Sequence, residues 1–314
     1  MKRPWIGYLS GTLSAFIMGL SWYATKRIGQ IHDGAFVLDI LSIRYLISGS
    51  LYLLAWGGGV IRQDYRGKSI RPLVELSLLM PILYNILEYS ALNYISSAEV
   101  GMLCSLSTVV ASWLGYIVLK ERISNREGMF MVVAVLGVIL TNVVDFDPHS
   151  SSNIGRLMMI GCVLCSSLNR IKSRQATDDF TAIEITGVMM WSSAIVMTVL
   201  ALGRHLLLGD IGRYIALATD VRIYGYLLFL SVGCSLFGFL LNNVAIANLS
   251  MTHSSVLITL ATVVAVVSGA VLLHEPLEWY DYLGCAVIMV GVIGCNMSKH
   301  SDKSILKQSE SKEE

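Results

Sequence analysis

Residues 91–123, "ALNYISSAEVGMLCSLSTVVASWLGYIVLKERI", lie on residues 245–277, "AIANLSMTHSSVLITLATVVAVVSGAVLLHEPL", without a gap when the chain is slid along itself by 154 positions. The match runs on to "LGVILTN" against "VGVIGCN". From Leu87 to Asn142, 17 of 56 positions are identical to their mates, including Thr108/Thr262, Gly115/Gly269, Glu121/Glu275, Gly137/Gly291 and Asn142/Asn296. Shared apolar composition does not give so many identities at one fixed offset, so the stretch is part of an internal duplication.

Composition says what is duplicated. Of the 314 residues, 54% are hydrophobic and 14% charged, and the mean hydropathy is +0.64; a soluble domain is nearer about 25% charged. Apolar stretches of roughly 17–25 residues, enough to cross about 30 Å of hydrocarbon, recur along almost the whole chain. They are too long and uniform for barrel strands, which alternate over about ten residues. The expected fold is an all-α integral membrane protein. Ten transmembrane helices are expected near residues 6–25, 36–56, 73–96, 99–119, 128–145, 154–171, 181–203, 222–247, 253–273 and 281–297. The first repeat then covers 6–145 and the second 154–297, and 298–314, rich in Lys, Ser and Glu, is expected to be a disordered cytoplasmic tail.

Five helices per repeat is an odd number, so the second copy must enter the membrane from the opposite side. Two inverted five-helix repeats are a plan on which many secondary transporters are built, with the substrate near the midplane between them. With the N-terminus inside, sixteen Lys and Arg fall in inner segments and six in outer ones, which puts both termini in the cytoplasm. The loop at Glu121 carries Lys120, Arg122 and Arg126, whereas its mate at Glu275 carries none. The stretch Gly203–Arg222, with three arginines outside, fits this count worst. The N-terminus lacks a cleavage pattern, so helix one is expected to stay in the membrane. All six cysteines fall in expected helices, which argues against a disulfide framework. A net charge of +1 gives no ground for a nucleic-acid partner.

"GLSWYATK" at the end of helix one, "SIRYLISGSL" in helix two, the block "ALNYISSAEV…LKERIS" and its second copy ending in "LLHEPL" resemble the EamA-type transporters of the drug/metabolite transporter superfamily. The resemblance covers residues 6–297 and speaks to fold more than to substrate. It implies that helices one and six line the pocket, which favours Trp22 and Asn169 as wall residues, and that the Glu at 121 and 275 recurs in the family. Ser107 and Ala261 stand where such proteins often have Pro in helices four and nine, which removes the proline basis for a kink there.

Ionisable groups at membrane depth usually face a bundle interior. Glu88 and Arg44 each lie about eight residues from the outer end of their helices, roughly 12 Å deep at 1.5 Å per residue, and can pair. Either they fix how two helices meet and do nothing else, or they open onto a polar cavity and meet a passenger. Tyr84, Asn85 and Glu88 share one helix face, and Pro81 weakens the helix a turn earlier. Asn242 and Asn243 are the repeat mates of Glu88 and Tyr89, so polar groups stand at corresponding places in helices three and eight. An offset of 148 places Ser21 against Asn169 and Lys26 against Arg174. The candidate substrate-binding residues are therefore Trp22, Arg44, Tyr84, Asn85, Glu88, Asn169, Asn242 and Asn243. The competing reading of Trp22 and Tyr23 is the interfacial aromatic belt, and of Arg170, Lys172 and Arg174 ordinary inner anchors. Glu275 suits helix capping and loop geometry, and Cys162 with Cys165 is a weak CxxC.

No GxSxG, HExxH or Walker-type loop is present, so neither an enzyme nor direct drive by ATP is expected, and no cofactor. The expected function is secondary or facilitated transport across the plasma membrane, the inner membrane of a bacterium, by alternating access. By resemblance alone the small-molecule substrate is an amino acid or related metabolite, moved outward. Besides the lipid bilayer, protons are the candidate coupling partner, carried on Glu88. Pairing with Arg44 would oppose that protonation, so facilitation or exchange stands beside it. The rivals are uptake or exchange of a nucleotide-derived or other charged metabolite, and a membrane scaffold that moves nothing. A monomer suffices to enclose a pathway.

Overall fold

The computed structural model describes residues 4–31, 37–61, 63–65, 68–119, 124–143, 150–177, 179–249, 251–275 and 277–294; Glu121 and the tail 298–314 lie outside them. Among the described residues there is no strand. The helices are α1 (Pro4–Ile31), α2 (Val37–Gly57), α3 (Arg71–Ala91), α4 in two pieces (Ser97–Ser105 and Ser107–Leu119), α5 (Asn125–Val143), α6 (Ser152–Ala176), α7 (Ala182–Leu208), α8 (Val221–Asn248), α9 (Met251–Leu272) and α10 (Trp279–Gly294).

Five of them, α2, α3, α6, α7 and α8, are long and apolar enough to cross a membrane, and α4, α5, α9 and α10 hold shorter apolar stretches. Large apolar side chains such as Leu13, Phe16, Leu54, Val199 and Leu207 stand on the outside, while Arg44, Asn85, Glu88 and Asn243 are buried. Apolar groups outward and polar groups inward is the distribution that lipid, not water, selects. The chain is a membrane protein.

The polar stretch Gly203–Arg222 holds structure that its composition hides. Helix α7 runs on to Leu208, and a short helix, Ile211–Thr219, follows. Its Tyr214 hydroxyl shares a 2.8 Å hydrogen bond with Ser42 of α2, and Leu217 is buried. Arg222, one of the three arginines that fitted the charge count poorly, pairs with Asp220 at 2.8 Å.

Two helices widen at corresponding places. In α3 the segment Leu78–Tyr84 around Pro81 is π-helical, and in α8 so is Phe229–Gly238. The 154-residue offset lays the first on residues 232–238, inside the second. Pro81 cannot donate to the preceding turn, which accounts for α3; α8 has Ser235 at that position and adopts the same geometry without proline. Likewise α4 is interrupted at Leu106 although no proline stands there.

The halves pack through each other. Helix α1 lies against α8 and α9, α2 against α7, α3 against α6, and α4 against both α6 and α9. At the α5–α10 contact, a Cβ on Gly137 would collide with Ile288, and one on Gly291 with Ala134. Gly137 and Gly291 are mates, and so are Ala134 and Ile288. Such a reciprocal contact is what a two-fold axis produces. Because 134 meets 291 while 137 meets 288, these two helices run antiparallel, and the local axis lies across them.

Candidate functional site

A cavity of about 130 Å³ sits on the line where the halves meet, walled by α1, α2, α3, α4, α6, α8 and α9. Its lining is itself paired by the repeat: Met18 with Ser166, Ser21 with Asn169, Trp22 with Arg170, Asn85 with Phe239, Glu88 with Asn242, and Ser107 with Ala261. Backbone positions are symmetric and chemistry is not. One side offers an indole and a carboxylate where the other offers a guanidinium and an amide.

Glu88 is the focus. Only 4% exposed, it accepts through Oε1 from the Trp22 indole N–H at 2.8 Å and from the Tyr84 hydroxyl at 2.5 Å. Among the described residues no donor is bonded to Oε2. Tyr84 sits one helical turn before Glu88, which is why its hydroxyl reaches the carboxylate; the Cys104 thiol stands 3.2 Å from the same hydroxyl. Trp22 is thus a cavity wall and a clamp at once, rather than a belt residue.

The expected Arg44–Glu88 pair is not formed. Arg44 is buried and shares the cavity lining, but its Nε donates to Ser235 Oγ at 2.7 Å, its terminal nitrogen to the Tyr89 hydroxyl, and its guanidinium lies 5.3 Å from the Tyr45 ring centroid and 5.6 Å from that of Tyr89. The two residues share a depth but point to different partners around their helices. The argument that Arg44 opposes protonation of Glu88 by direct pairing therefore lapses. Asn85 lines the cavity and is anchored by the Tyr45 hydroxyl at 2.7 Å and the Pro81 carbonyl at 2.9 Å.

Asn242 lines the cavity and Asn243 does not: its amide donates to Thr186 of α7 at 2.9 Å. Neighbouring residues on a helix point about 100° apart, and here that turn carries Asn243 away from the cavity toward α7. Asn169 lines the cavity, and its buried Oδ1 has no hydrogen-bond partner among the described residues. Arg170, expected to be an inner anchor, is 7% exposed and lines the cavity. Its signal was present in the offset of 148, which lays it on Trp22.

Ion pairs tie the halves at both ends of the bundle. Where α1 ends, Lys26 meets Glu275 at 2.9 Å, and Arg156 of α6 meets Glu99 of α4 at 2.7 Å. His205 at the end of α7 faces Asp39 of α2 at 3.0 Å and Asp210 at 2.6 Å, and this contact with His205 holds the Asp210 carboxyl below its ordinary range. At the other end Lys172 of α6 pairs with Glu75 of α3, and Lys68 with Glu184 of α7 at 3.6 Å.

A larger hollow of about 660 Å³ runs between α2 and α7. Leu46, Leu53, Trp56, Ile195 and Val199 line it and no charged side chain does, so its chemistry is that of a lipid-facing groove. Among the described residues no group of His, Cys, Asp and Glu is arranged to hold a metal ion. The Cys162 thiol of the CxxC donates instead to the Tyr84 carbonyl, 3.5 Å away.

The model of the EamA-like transporter family matches residues 5–143 and again 153–297. Over 292 residues, 93% of either chain, the sequence is 29% identical to the uncharacterized transporter YcxC of Bacillus subtilis (strain 168). It is 22% identical over 255 residues to an uncharacterized transporter of Archaeoglobus fulgidus, covering 81% of this chain and 87% of that one. Among solved structures, one crystal structure superposes with a TM-score of 0.66 at 15% identity, covering 94% of this chain and 98% of the other, a likeness of fold.

Proposed function

Because the chain belongs to the EamA-like transporter family, whose members are transporters and not enzymes, we propose that it carries a small zwitterionic metabolite, an amino acid or close relative, outward through the central cavity by alternating access. Ten transmembrane helices in two inverted five-helix repeats form the pathway. The antiparallel, reciprocal contact of Gly137 and Gly291 supports that inversion, and the lysine and arginine count supports cytoplasmic termini in the plasma membrane. A monomer contains the whole pathway. The scaffold reading falls away with membership of a transporter family.

The observation that carries the substrate class is the asymmetry of the cavity wall. Glu88 Oε2 and Asn169 Oδ1, neither bonded among the described residues, offer acceptors to an ammonium group. Arg170 and Arg44 offer cationic character to a carboxylate. A zwitterion answers both without leaving a buried charge uncompensated. Substrate gradient, exchange or protons on Glu88 supply the energy. The second reading is a metabolite of higher negative charge, favoured by Arg170 adding a buried cation to Arg44.

Counterflow in proteoliposomes loaded with unlabelled alanine, serine or glutamine, and separately with malate or uridine monophosphate, tests the class. Exchange of a labelled amino acid is expected, and losing a charged partner in Glu88→Gln should weaken it about ten-fold or more. Exchange of the anions alone would replace the first reading by the second, and no exchange beyond protein-free liposomes would overturn both.

A further inference from the structure

Glu275 was read as a loop or capping residue, and the structure gives it more than a cap needs. Helix α9 ends in a turn in which His274 takes a positive φ of 51°, a conformation that a non-glycine residue adopts only when its surroundings impose it. That turn brings the Glu275 N–H back to the Gly269 carbonyl at 3.1 Å and sends the carboxylate across the boundary between the halves. There Oε1 accepts from the Ser97 N–H at 3.0 Å, and Oε2 from the Ser97 hydroxyl at 2.9 Å and the Ala98 N–H at 3.3 Å. It caps the start of α4 in the other half, not the helix that follows it in sequence. The Lys26 ammonium closes the cluster, 2.9 Å from Glu275 Oε1 and 3.1 Å from the Ile95 carbonyl. Burial opposes the charge, but the Ser97 N–H and Lys26 outweigh it and hold the Glu275 carboxyl below its ordinary range.

The position of this cluster matters as much as its bonds. It lies where α1 ends and α4 begins. The cavity wall reaches from Gly11 near the start of α1, Asn169 and Arg170 near the end of α6 and Asn242 to Ile246 near the end of α8 up to Trp22 and Glu88, which lie closer to the cluster. Between Glu88 and the cluster, and packed on the Trp22 wall, lies an apolar layer that includes Leu92, Ile95, Val100 and Ala265.

We propose that Glu275, Lys26 and the first turn of α4 form the outer gate latch of the transport cycle, holding the two halves together on the face where α1 ends and parting when the cavity opens to that face. This rests on the alternating-access reading above. Four groups from two separate parts of the chain, the Lys26 ammonium and the Ser97 N–H, Ser97 hydroxyl and Ala98 N–H, converge on one carboxylate, and every one of these bonds crosses between halves. Parting releases two α4 amides and an ammonium to water, which solvates them as well as the carboxylate does, so the contact is strong when closed and reversible when wetted.

The test uses Cys104, which lines the cavity. Membrane vesicles of either orientation are exposed to a membrane-impermeant methanethiosulfonate, and modification at Cys104 is read by peptide mass spectrometry, so that the other cysteines stay in place. In the wild type, labelling is expected from the face where α1 begins and to be slow from the face where α1 ends. Lys26→Ala and Glu275→Gln should each raise labelling from the latter face at least about five-fold, and Lys26→Arg should restore the slow rate. Unchanged labelling from that face in both variants, with the other face reactive, overturns the latch and leaves the transport reading standing. A Cys104 inert from both faces in every variant overturns both.

Discussion

Trp22→Phe isolates the clamp on Glu88. The substitution keeps an aromatic ring in the cavity wall but removes the indole N–H that lies 2.8 Å from Oε1, leaving the Tyr84 hydroxyl, at 2.5 Å, as the carboxylate's one remaining donor among the described residues. A hydrogen bond to a charged group contributes about 1.5–3 kcal/mol, and one to a neutral carbonyl about 0.5–1.5. Removing the indole also leaves a void whose cost is unrelated to the bond. Repeating the substitution in Glu88→Gln, where the same N–H meets a neutral amide, cancels that packing cost. The difference between the two backgrounds should then be about 1 kcal/mol, with Trp22→Phe more damaging when residue 88 is Glu. Reversible unfolding of the four proteins in mixed detergent micelles measures it. A coupling below about 0.3 kcal/mol would refute the clamp, since independent sites add to within that error.

Asn243→Ala should lower stability by about 0.5–1.5 kcal/mol through the lost bond to the Thr186 hydroxyl, which keeps its own 2.7 Å bond to the Ala182 carbonyl, yet leave substrate exchange intact, whereas Asn242→Ala should do the reverse; unfolding and counterflow on the pair check this. Gly269→Ala would set a methyl 2.6 Å from Glu275 Oε2 and 2.9 Å from Ser97 Oγ, so it should speed labelling of Cys104 from the latch face as Glu275→Gln does. Glu275 also dictates a pH dependence. Its folded-state pKa lies below the ordinary glutamate value of about 4.3, so the stability it contributes is complete above that pH and is lost as pH falls through the lower folded value. Wild-type melting temperature should therefore drop more steeply than that of Glu275→Gln as acid is added below about pH 4.5, and parallel curves would contradict the assignment.

Much of this was legible because a duplication carries its own geometry. The offset of 154 that aligns residues 91–123 with 245–277 also pairs Glu88 with Asn242 across the cavity, and Gly137 with Gly291 at the α5–α10 crossing. Depth along a helix was legible too, which is why Glu88 and Arg44 are both buried. Direction around the helix was not. Counting residues gives height, but a bond needs the azimuth as well, and that is set by packing between helices far apart in sequence. Hence Arg44 turned to Ser235 and Tyr89 instead of Glu88, and Asn243 to Thr186 instead of the cavity. Arg170 was obscured by company: with Lys172 and Arg174 beside it, the three read as one anchoring cluster. The match of the π segments in α3 and α8 had no such signal, because only α3 has the proline.

The central claim is that the cavity between the halves binds a small zwitterion through Glu88. Thermal unfolding of the detergent-purified protein against a panel of amino acids, nucleosides, organic acids and cationic drugs, repeated on Glu88→Gln, tests it most directly, since a ligand of the folded state raises its stability by mass action. The account predicts a rise in melting temperature with one or more amino acids that disappears in the variant. No shift with any amino acid, or a shift that Glu88→Gln retains in full, would contradict it.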